Sequence, residues 1–280
     1  MLRDLFKKQP SKLVAVVVPL SNRKELTLDE NISLKHLQHF LGKYDKFFVM
    51  PQSLDFGIPG FGIKRFDDKK YFGSIKAHRD LLFSPKFYEA FRKYKYILMY
   101  HLDSLVFSDQ LEEWCARDFD FIGPPWIKHE DAPYAGNPIY EGKVGNSGFA
   151  LMKIESYLKV LYSKKYFVEP KEHWKKYYAD KPTYEQLINF PKRIIKYLKV
   201  FNNVRCEISS YKNLSVEPFW VERATHYYPE FKVASVEEAL PFAFECVPRY
   251  CFKKNNHTLP FGCHAWQKYD RAFWEPYLLK

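Results

Sequence analysis

The sequence predicts an α/β fold in which a mostly parallel sheet is flanked by helices and carries a basic helical insertion. Residues 13–20 read LVAVVVPL, a continuous apolar run typical of a strand buried on both faces of a parallel sheet. Further short apolar runs alternate with stretches of helical periodicity, as in repeated β-α-β units. Positive charge is concentrated in residues 159–212, which we interpret as an insertion within one domain spanning residues 1–280.

The predicted elements follow one another in a regular order. After the first strand, residues 29–41 carry apolar side chains at helical spacing, with Asp29 as the cap. The next elements are strands at 46–50 and 62–66, helices at 74–83 and 86–93, and a buried strand at 96–102. Beyond the insertion, the pattern predicts a helix at 217–225, a short helix capped by Ser235 that ends at Leu240, and a strand at 242–245.

The composition limits the class of protein. Of the 280 residues, 46% are hydrophobic and 19% aromatic, which is enough to form a core and excludes a disordered chain. No apolar run reaches the ~20 residues needed to span a bilayer, and no signal-peptide-like stretch opens the sequence. The five cysteines form no CxxC pair, which fits a reducing compartment. We therefore expect a soluble, cytoplasmic protein.

The basic segment holds most of the net charge. Residues 159–212 contain 13 Lys and Arg against 5 Asp and Glu, which is +8 of the total +11. Prolines at 170, 182 and 191 are expected to divide it into short pieces. Residues 191–201 place apolar side chains at helical spacing beside basic ones, typical either of a helix lying on an anionic membrane or of one packed on the core. No nucleic-acid-binding motif occurs, so nucleic acid is not the expected partner.

Polar side chains end the buried strand at 96–102. Asp103 follows it directly, and His101 lies two positions earlier, on the same face of an extended chain. Ligands of open α/β sheets bind at the carboxyl ends of strands, where a carboxylate can hold a divalent ion against a diphosphate. A capping or loop aspartate is the alternative interpretation.

A loop and a later carboxylate offer further polar groups. Gly145 and Gly148 bracket Asn146 and Ser147, so the backbone can approach a sugar or phosphate closely, although an ordinary tight turn has the same composition. Glu217 precedes a proline at a predicted helix start, where it is either a cap or a general base for a hydroxyl acceptor.

Other candidates are less specific. Lys76 and Arg79 lie on a predicted helix, where they either neutralise a diphosphate or face solvent. A zinc site must be considered among the residues Cys246, Cys251, His257, Cys263 and His264. Their spacing does not match the usual zinc pairs, and His264 is either a core histidine or one ligand of a more open site.

Five motifs, taken in order, resemble a glycosyltransferase-like family that carries a domain-of-unknown-function label. They are YKYILMYHLDSLVF, FDFIGPPW, VGNSGFALMK, VEPFW and LPFGCHAW. The corresponding family pattern is a strand ending in Q-L-D, then Y-I-G-A-P-W, G-N-G-G-F, E-D-x-F-W and P-F-G-x-H-x-W. The resemblance covers about residues 14–266 except the basic insertion, and it implies a GT-A (Rossmann-like) fold.

The resemblance also implies roles for individual residues. Asp103 corresponds to the last aspartate of a metal-binding D-x-D motif, and His264 to a late metal-binding histidine, with Mn²⁺ or Mg²⁺ as the ion. Glu217 falls on the acidic pair that contains the catalytic base of inverting relatives. The residues expected to contact the nucleotide-sugar are Pro19, Ser21, Lys76, Arg79, His101, Leu102, Asn146, Ser147 and Gly148.

The sequence departs from the family pattern at three places. His101 stands where the first aspartate would be, and Pro218 replaces the second acid of the pair. A Y-x-R triplet that precedes the metal strand in relatives is replaced by His78, Arg79 and Asp80. The resemblance implies an inverting, metal-dependent transferase that moves a sugar from a nucleotide-diphosphate sugar to a hydroxyl group of a glycan or lipid-linked acceptor. These departures favour, as the alternative, a non-catalytic nucleotide-sugar or carbohydrate-binding protein.

Overall fold

A six-stranded sheet forms the centre of the molecule in the computed structural model, which describes residues 10–21, 23–211 and 215–279. The strands of the described residues are, in chain order, β1 (Lys12–Pro19), β2 (Asp45–Pro51), β3 (Phe61–Phe66), β4 (Tyr94–Tyr100), β5 (Leu105–Val106), β6 (Phe121–Ile122), β7 (Pro125–Trp126), β8 (Lys143–Val144), β9 (Phe149–Lys153), β10 (Ala243–Phe244) and β11 (Gly262–Cys263). The predicted strands at 13–20, 46–50, 62–66 and 96–102 are thus present within a few residues of their expected bounds.

The central sheet has the order β3-β2-β1-β4-β9-β6. Strand β1 pairs in parallel with β2 on one side and β4 on the other, and β2 pairs in parallel with β3. Strand β9 runs antiparallel to both β4 and β6 and so opposes the other five. The predicted α/β class with a mostly parallel sheet is confirmed. Between β1 and β4 the strand order reverses, which is where open α/β sheets bind ligands.

Two small sheets lie beside the central one. Strand β11 pairs in parallel with β10 and antiparallel with β5, and β7 pairs antiparallel with β8. The first of these sheets has its own core around Leu105, Phe244, Cys263 and the fully buried Trp266. Because β5 follows β4 after a short turn, this second core holds late residues of the chain against the carboxyl end of β4.

The helices cover the sheet and extend from it. They are α1 (Leu28–Phe40), α2 (Asp68–Tyr71), α3 (Ile75–Leu82), α4 (Pro85–Glu89), α5 (Leu111–Ala116), α6 (Ile154–Leu161), α7 (Pro170–Tyr178), α8 (Thr183–Tyr197), α9 (Val204–Ser210), α10 (Glu217–Glu222), α11 (Ala224–Tyr227), α12 (Val236–Ala239), α13 (Pro248–Lys254) and α14 (Arg271–Trp274). No helix of the described ranges is both long and apolar enough to cross a membrane.

Helix α1 begins one residue earlier than predicted, at Leu28. Thr27, not Asp29, is its cap: the Thr27 hydroxyl accepts the Glu30 N–H at 3.2 Å, and the Glu30 carboxylate accepts the Thr27 N–H at 2.7 Å. Asp29 instead accepts two hydrogen bonds from Arg271, at 2.8 and 3.0 Å. The prediction was wrong because Thr27 and Glu30 form a capping box, which starts the helix before Asp29. Helix α4 also ends earlier than expected, at Glu89.

The basic segment does not form one separate unit. Its first residues belong to α6, whose apolar face is buried, and α9 returns to the core through the buried residues Val204 and Glu207. Only α7 and α8 extend outward, as a helical hairpin. The expectation that Pro191 divides the segment was wrong, because α8 continues through it and omits only the backbone hydrogen bond that proline cannot donate.

Candidate functional site

Three side chains that could bind a cation meet at the carboxyl end of β4. His101 and Asp103 follow β4, and His264 follows β11; one ligand atom from each lies within 4.8 Å of the others. Elsewhere in the described part of the chain, no other three His, Cys, Asp or Glu side chains converge in this way. The three residues come from two sheets, which β5 and β11 hold together by pairing.

His264 lies between two carboxylates. Its Nε2 is 3.3 Å from Asp103 Oδ1 and its Nδ1 is 3.1 Å from Glu245 Oε1. Burial disfavours charge on the ring, but the Asp103 and Glu245 carboxylates outweigh it and raise the pKa of His264 to about 10. In the metal-free protein this imidazole is therefore a cation at neutral pH.

Glu245 is the member of this group that the sequence did not reveal. It ends the predicted strand at 242–245, but no motif marks it as functional. In the structure β10 lies parallel to β11 with Phe244 opposite Cys263, so the next residue of each strand, Glu245 and His264, come side by side. Only the strand pairing could have identified it.

His101 differs from His264 in its surroundings. Burial, together with the neighbouring His78 and His264 rings, lowers its pKa to about 3, so the ring is neutral. Its Nε2 is buried and has no hydrogen-bond partner among the described residues. Burial disfavours the Asp103 carboxylate, yet His264 outweighs this and lowers its pKa to about 2. The 3.3 Å contact between Asp103 and His264 is an ion pair without hydrogen-bond alignment, since Asp103 Oδ1 has no such partner in the described ranges.

These donors fit a divalent cation. Two buried ligand atoms, His101 Nε2 and Asp103 Oδ1, lack hydrogen-bond partners within the described residues and lie close to His264, and a buried polar atom without a partner is costly. Mg²⁺ prefers oxygen ligands, whereas two imidazoles with one carboxylate suit transition metals such as Mn²⁺. Of the two predicted ions, the donor set therefore favours Mn²⁺ over Mg²⁺.

The loop of Asn146, Ser147 and Gly148 packs directly against this cluster. The Gly148 carbonyl accepts the His101 N–H at 2.7 Å, and the Asn146 side chain accepts the Gly148 N–H at 2.9 Å and donates to Glu245. A Cβ atom on Gly148 would lie 2.1 Å from His264 Nε2. Glycine is therefore required here because the imidazole contacts the backbone itself.

Glu217 is the first residue of α10 and its side chain is buried. Oε1 accepts hydrogen bonds from both the backbone N–H and the hydroxyl of Ser147, each at 2.6 Å. Oε2 is buried and has no hydrogen-bond partner among the residues that the structure describes. One carboxylate oxygen is thus fixed by the glycine loop, while the other is buried without a hydrogen bond to any described residue.

Two cavities meet at the cluster of His101, Asp103 and His264. The first has a volume of about 350 Å³ and is lined in part by Pro19, Ser21, Leu102 and Asp103. The second, of about 620 Å³, is lined by the glycine loop, Glu217 and His264 on one side, and elsewhere by the aromatic residues Trp126, Tyr134, Tyr140 and Tyr269. The side chains of His78 and His101 line both cavities.

Most predicted site residues lie at these cavities, but two have other roles. Arg79 lines the larger cavity, yet its guanidinium donates to the backbone carbonyls of Ile208 and Tyr211 and so anchors the end of α9. Lys76 is exposed, pairs with Asp80 at 2.6 Å and lines neither cavity. The cysteines considered for zinc do not converge with His257 in the described ranges.

The chain is similar to known proteins in sequence and in fold. A family model described as "Protein of unknown function (DUF5672)" matches residues 60–264, most of the chain. No curated protein sequence matches significantly. Among solved structures, the apo-form glycosyltransferase GlyE of Streptococcus pneumoniae TIGR4 is similar, with 12% identity and a TM-score of 0.40 over 95% of this chain; the chain spans 60% of GlyE.

Two further solved structures are similar to the chain. An active-site mutant of LgtC has 11% identity and a TM-score of 0.43, over 89% of this chain and 86% of LgtC. The 4-diphosphocytidyl-2C-methyl-D-erythritol synthase of Anaerococcus prevotii DSM 20548 has 10% identity and a TM-score of 0.32, over 61% of this chain and 85% of the synthase. At such identities a likeness concerns the fold alone.

Proposed function

The chain belongs to the DUF5672 family, and we propose that it is a GT-A type glycosyltransferase that moves a sugar from a nucleoside-diphosphate sugar to a hydroxyl group. The observation that carries the proposal is the cluster of His101, Asp103 and His264 between two cavities, at the point where the strand order reverses. A bound divalent ion would supply charge neutralisation for the diphosphate as it leaves.

The smaller cavity is proposed to hold the nucleotide. It begins at the carboxyl end of β1, where Pro19 and Ser21 lie, and ends at Asp103. Ligands of doubly wound sheets occupy this position. Arg23 also lines the cavity and pairs with Glu30, so one cationic side chain lies near the proposed diphosphate path.

The larger cavity is proposed to hold the transferred sugar and the acceptor. Its aromatic lining, which includes Trp126 and Tyr134, suits the apolar faces of sugar rings. A glycan or a lipid-linked saccharide is therefore the proposed class of acceptor.

Glu217 is proposed as the general base. The acceptor hydroxyl oxygen forms a bond to the anomeric carbon while the bond from that carbon to the diphosphate breaks, and the electron pair leaves with the diphosphate. The hydroxyl proton passes to Glu217 Oε2, the carboxylate oxygen that has no other partner among the described residues. Ser147 holds the opposite oxygen through two hydrogen bonds. A single direct displacement of this kind inverts the anomeric centre.

The test is a thermal-shift screen of UDP-, GDP-, dTDP- and CMP-sugars with and without Mn²⁺. A ligand at 100 times its Kd stabilises the native state by about 2.7 kcal/mol, which corresponds to a rise in Tm of roughly 5 °C for a chain of this size. We expect at least one nucleotide-sugar to give such a rise only with Mn²⁺. Asp103→Asn should abolish the rise, while the matched exposed variant Asp55→Asn should keep it.

Two outcomes would change the assignment. If the Mn²⁺-dependent rise in Tm were unchanged in Asp103→Asn, the proposed metal site would be wrong. Binding of a nucleotide-sugar by calorimetry, with no turnover over a broad set of acceptors, would favour the non-catalytic binding protein instead.

A further inference from the structure

Helix α8 turns its apolar face away from the protein. The side chains on that face are exposed, with Leu187 and Ile188 at 69% and 72%, and no residue of the helix is buried. We call this surface the α8 apolar band; it consists of Tyr184, Leu187, Ile188, Ile194, Ile195 and Leu198. Amphipathic helices of globular proteins normally bury such a stripe, whereas none of the described residues covers this band.

Polar contacts hold the helix in this orientation. Gln186 Nε2 donates to the carbonyls of Ala179 and Lys181 at 3.1 and 2.8 Å, so this side faces the turn after α7. Arg193 lies over the ring of Trp174 in α7 at 5.1 Å. The interpretation of this segment as a helix packed on the core through its apolar face is therefore wrong: α7 contacts the polar side.

The hairpin that carries the band is basic. Lys171, Lys175 and Lys176 are exposed on α7, and Lys192 is exposed on α8. The whole segment of residues 159–212 carries +8. A second copy of this chain would bring an equal positive charge to the same surface, whereas an anionic surface would be attracted.

We propose that the α7–α8 hairpin docks on an anionic lipid bilayer, with the α8 apolar band at the boundary between headgroups and acyl chains. Helices with a strong apolar face and basic residues around it bind membranes in this way. The two observations that carry the proposal, the outward apolar band and the exposed lysines of the same hairpin, are independent of the cluster of His101, Asp103 and His264. This docking goes beyond the proposed transferase activity and is testable without it.

Co-sedimentation with vesicles tests the docking. Vesicles of phosphatidylcholine alone are compared with vesicles that also contain 20% phosphatidylglycerol, at low and high salt. We expect binding to the anionic vesicles only, weakened by high salt. Leu187→Ser with Ile188→Ser should reduce partitioning at least tenfold, because two exposed apolar side chains leave the bilayer. The control is Leu28→Ser in α1, an equally exposed leucine outside the hairpin, at 86%.

Charge and self-association are tested separately. Lys175→Glu with Lys192→Glu should reduce anionic-vesicle binding by more than tenfold, because each basic residue near such a surface contributes about a fivefold gain in partitioning. Equal binding of the wild type to neutral vesicles, or none to either, would overturn the proposal. The proposal would also be overturned if light scattering showed that the wild type is a dimer and that Leu187→Ser with Ile188→Ser dissociates it. The α8 apolar band would then be a contact between two copies of the chain.

Discussion

The imidazole of His264 is oriented by its neighbours on both sides. Its Nδ1 contacts Glu245, so its Nε2 points to Asp103 and to the place where a cation would bind. Asn146 donates to the same oxygen of Glu245 and thereby fixes that carboxylate in turn. Carboxylates that hold the second nitrogen of a ligating histidine strengthen metal sites, and Glu245 occupies that position here.

Replacing Glu245 by Gln is expected to weaken Mn²⁺ binding by about 10- to 100-fold, because the neutral amide no longer raises the basicity of His264 or fixes its ring. Isothermal calorimetry of the purified chain with MnCl₂ measures the change. The matched control is Glu237→Gln, an exposed residue of α12, which should bind as the wild type does. An unchanged affinity in Glu245→Gln would show that the carboxylate does not orient the histidine.

At the scale of elements, the ends of β4 and β9 are connected through one aspartate. Asp118 accepts hydrogen bonds from Tyr96 at 2.7 Å and from Lys153 at 3.0 Å, and it pairs with Lys95 at 3.0 Å. Burial opposes its charge, but Tyr96 and the two lysines outweigh burial and hold the pKa of the Asp118 carboxyl well below its usual range. Its φ of 57° is in the left-handed region, which Asn also tolerates.

Asp118→Asn is expected to lower the free energy of unfolding by about 1 kcal/mol at pH 7, a small value because the carboxylate is partly exposed and screened. Because the pKa of Asp118 is lower in the folded than in the unfolded chain, its carboxylate stabilises the folded state at pH values above the unfolded pKa of about 3.9. This stabilisation is lost as the pH falls towards the folded-state pKa. The difference between wild type and variant should therefore be full at pH 6 to 7 and shrink between about pH 4 and pH 2. Urea unfolding across this range measures it, and a difference independent of pH would contradict the assignment.

Local sequence signals identified the elements but not their long-range partners. The apolar runs at 13–20 and 96–102 predicted β1 and β4 because burial on both faces leaves a continuous apolar pattern. Thr27 and Asp29 are both good capping residues, and the T-x-x-E pattern of Thr27 and Glu30 is a local capping-box signal that favours Thr27. The ion pair of Asp29 with Arg271, which lies 242 residues away, is what no local pattern contains.

The candidate site shows the same limit. Asp103, His264 and the glycine loop stood out by motif, and the structure brings them together. Glu245 did not stand out, since its role arises from the parallel register of β10 and β11. Lys76 was expected at the nucleotide because of its position in the chain, but the orientation of α3 places it outside both cavities, beside Asp80.

For the whole molecule, the α7–α8 hairpin is an appendage whose two ends meet. The Asn202 side chain accepts the Val168 N–H at 2.9 Å and donates to the Val168 carbonyl at 2.7 Å, so the chain leaves and returns at nearly one point. In α7 only Pro170 is buried, and in α8 no residue is. The core therefore depends little on the hairpin.

Replacing residues 170–200 by a short Gly/Ser linker is expected to leave a chain that unfolds in one transition, with Tm within about 4 °C of the wild type, since little apolar surface is lost from the core. Differential scanning calorimetry measures this. The shortened chain should keep the Mn²⁺-dependent response to its nucleotide-sugar and lose binding to anionic vesicles. A chain that fails to fold cooperatively would mean that the hairpin is part of the domain.

His78 and His101 lie between the two cavities, so a mutation at either residue cannot distinguish an effect on one cavity from an effect on the other. Because both rings face both spaces, a substitution at either one alters the two cavities together. Its effect is therefore not additive with substitutions made deeper in either cavity, as is usual for residues with shared partners. Ser21 on one side and Tyr134 on the other each line a single cavity, so substitutions there should separate the two proposed binding events.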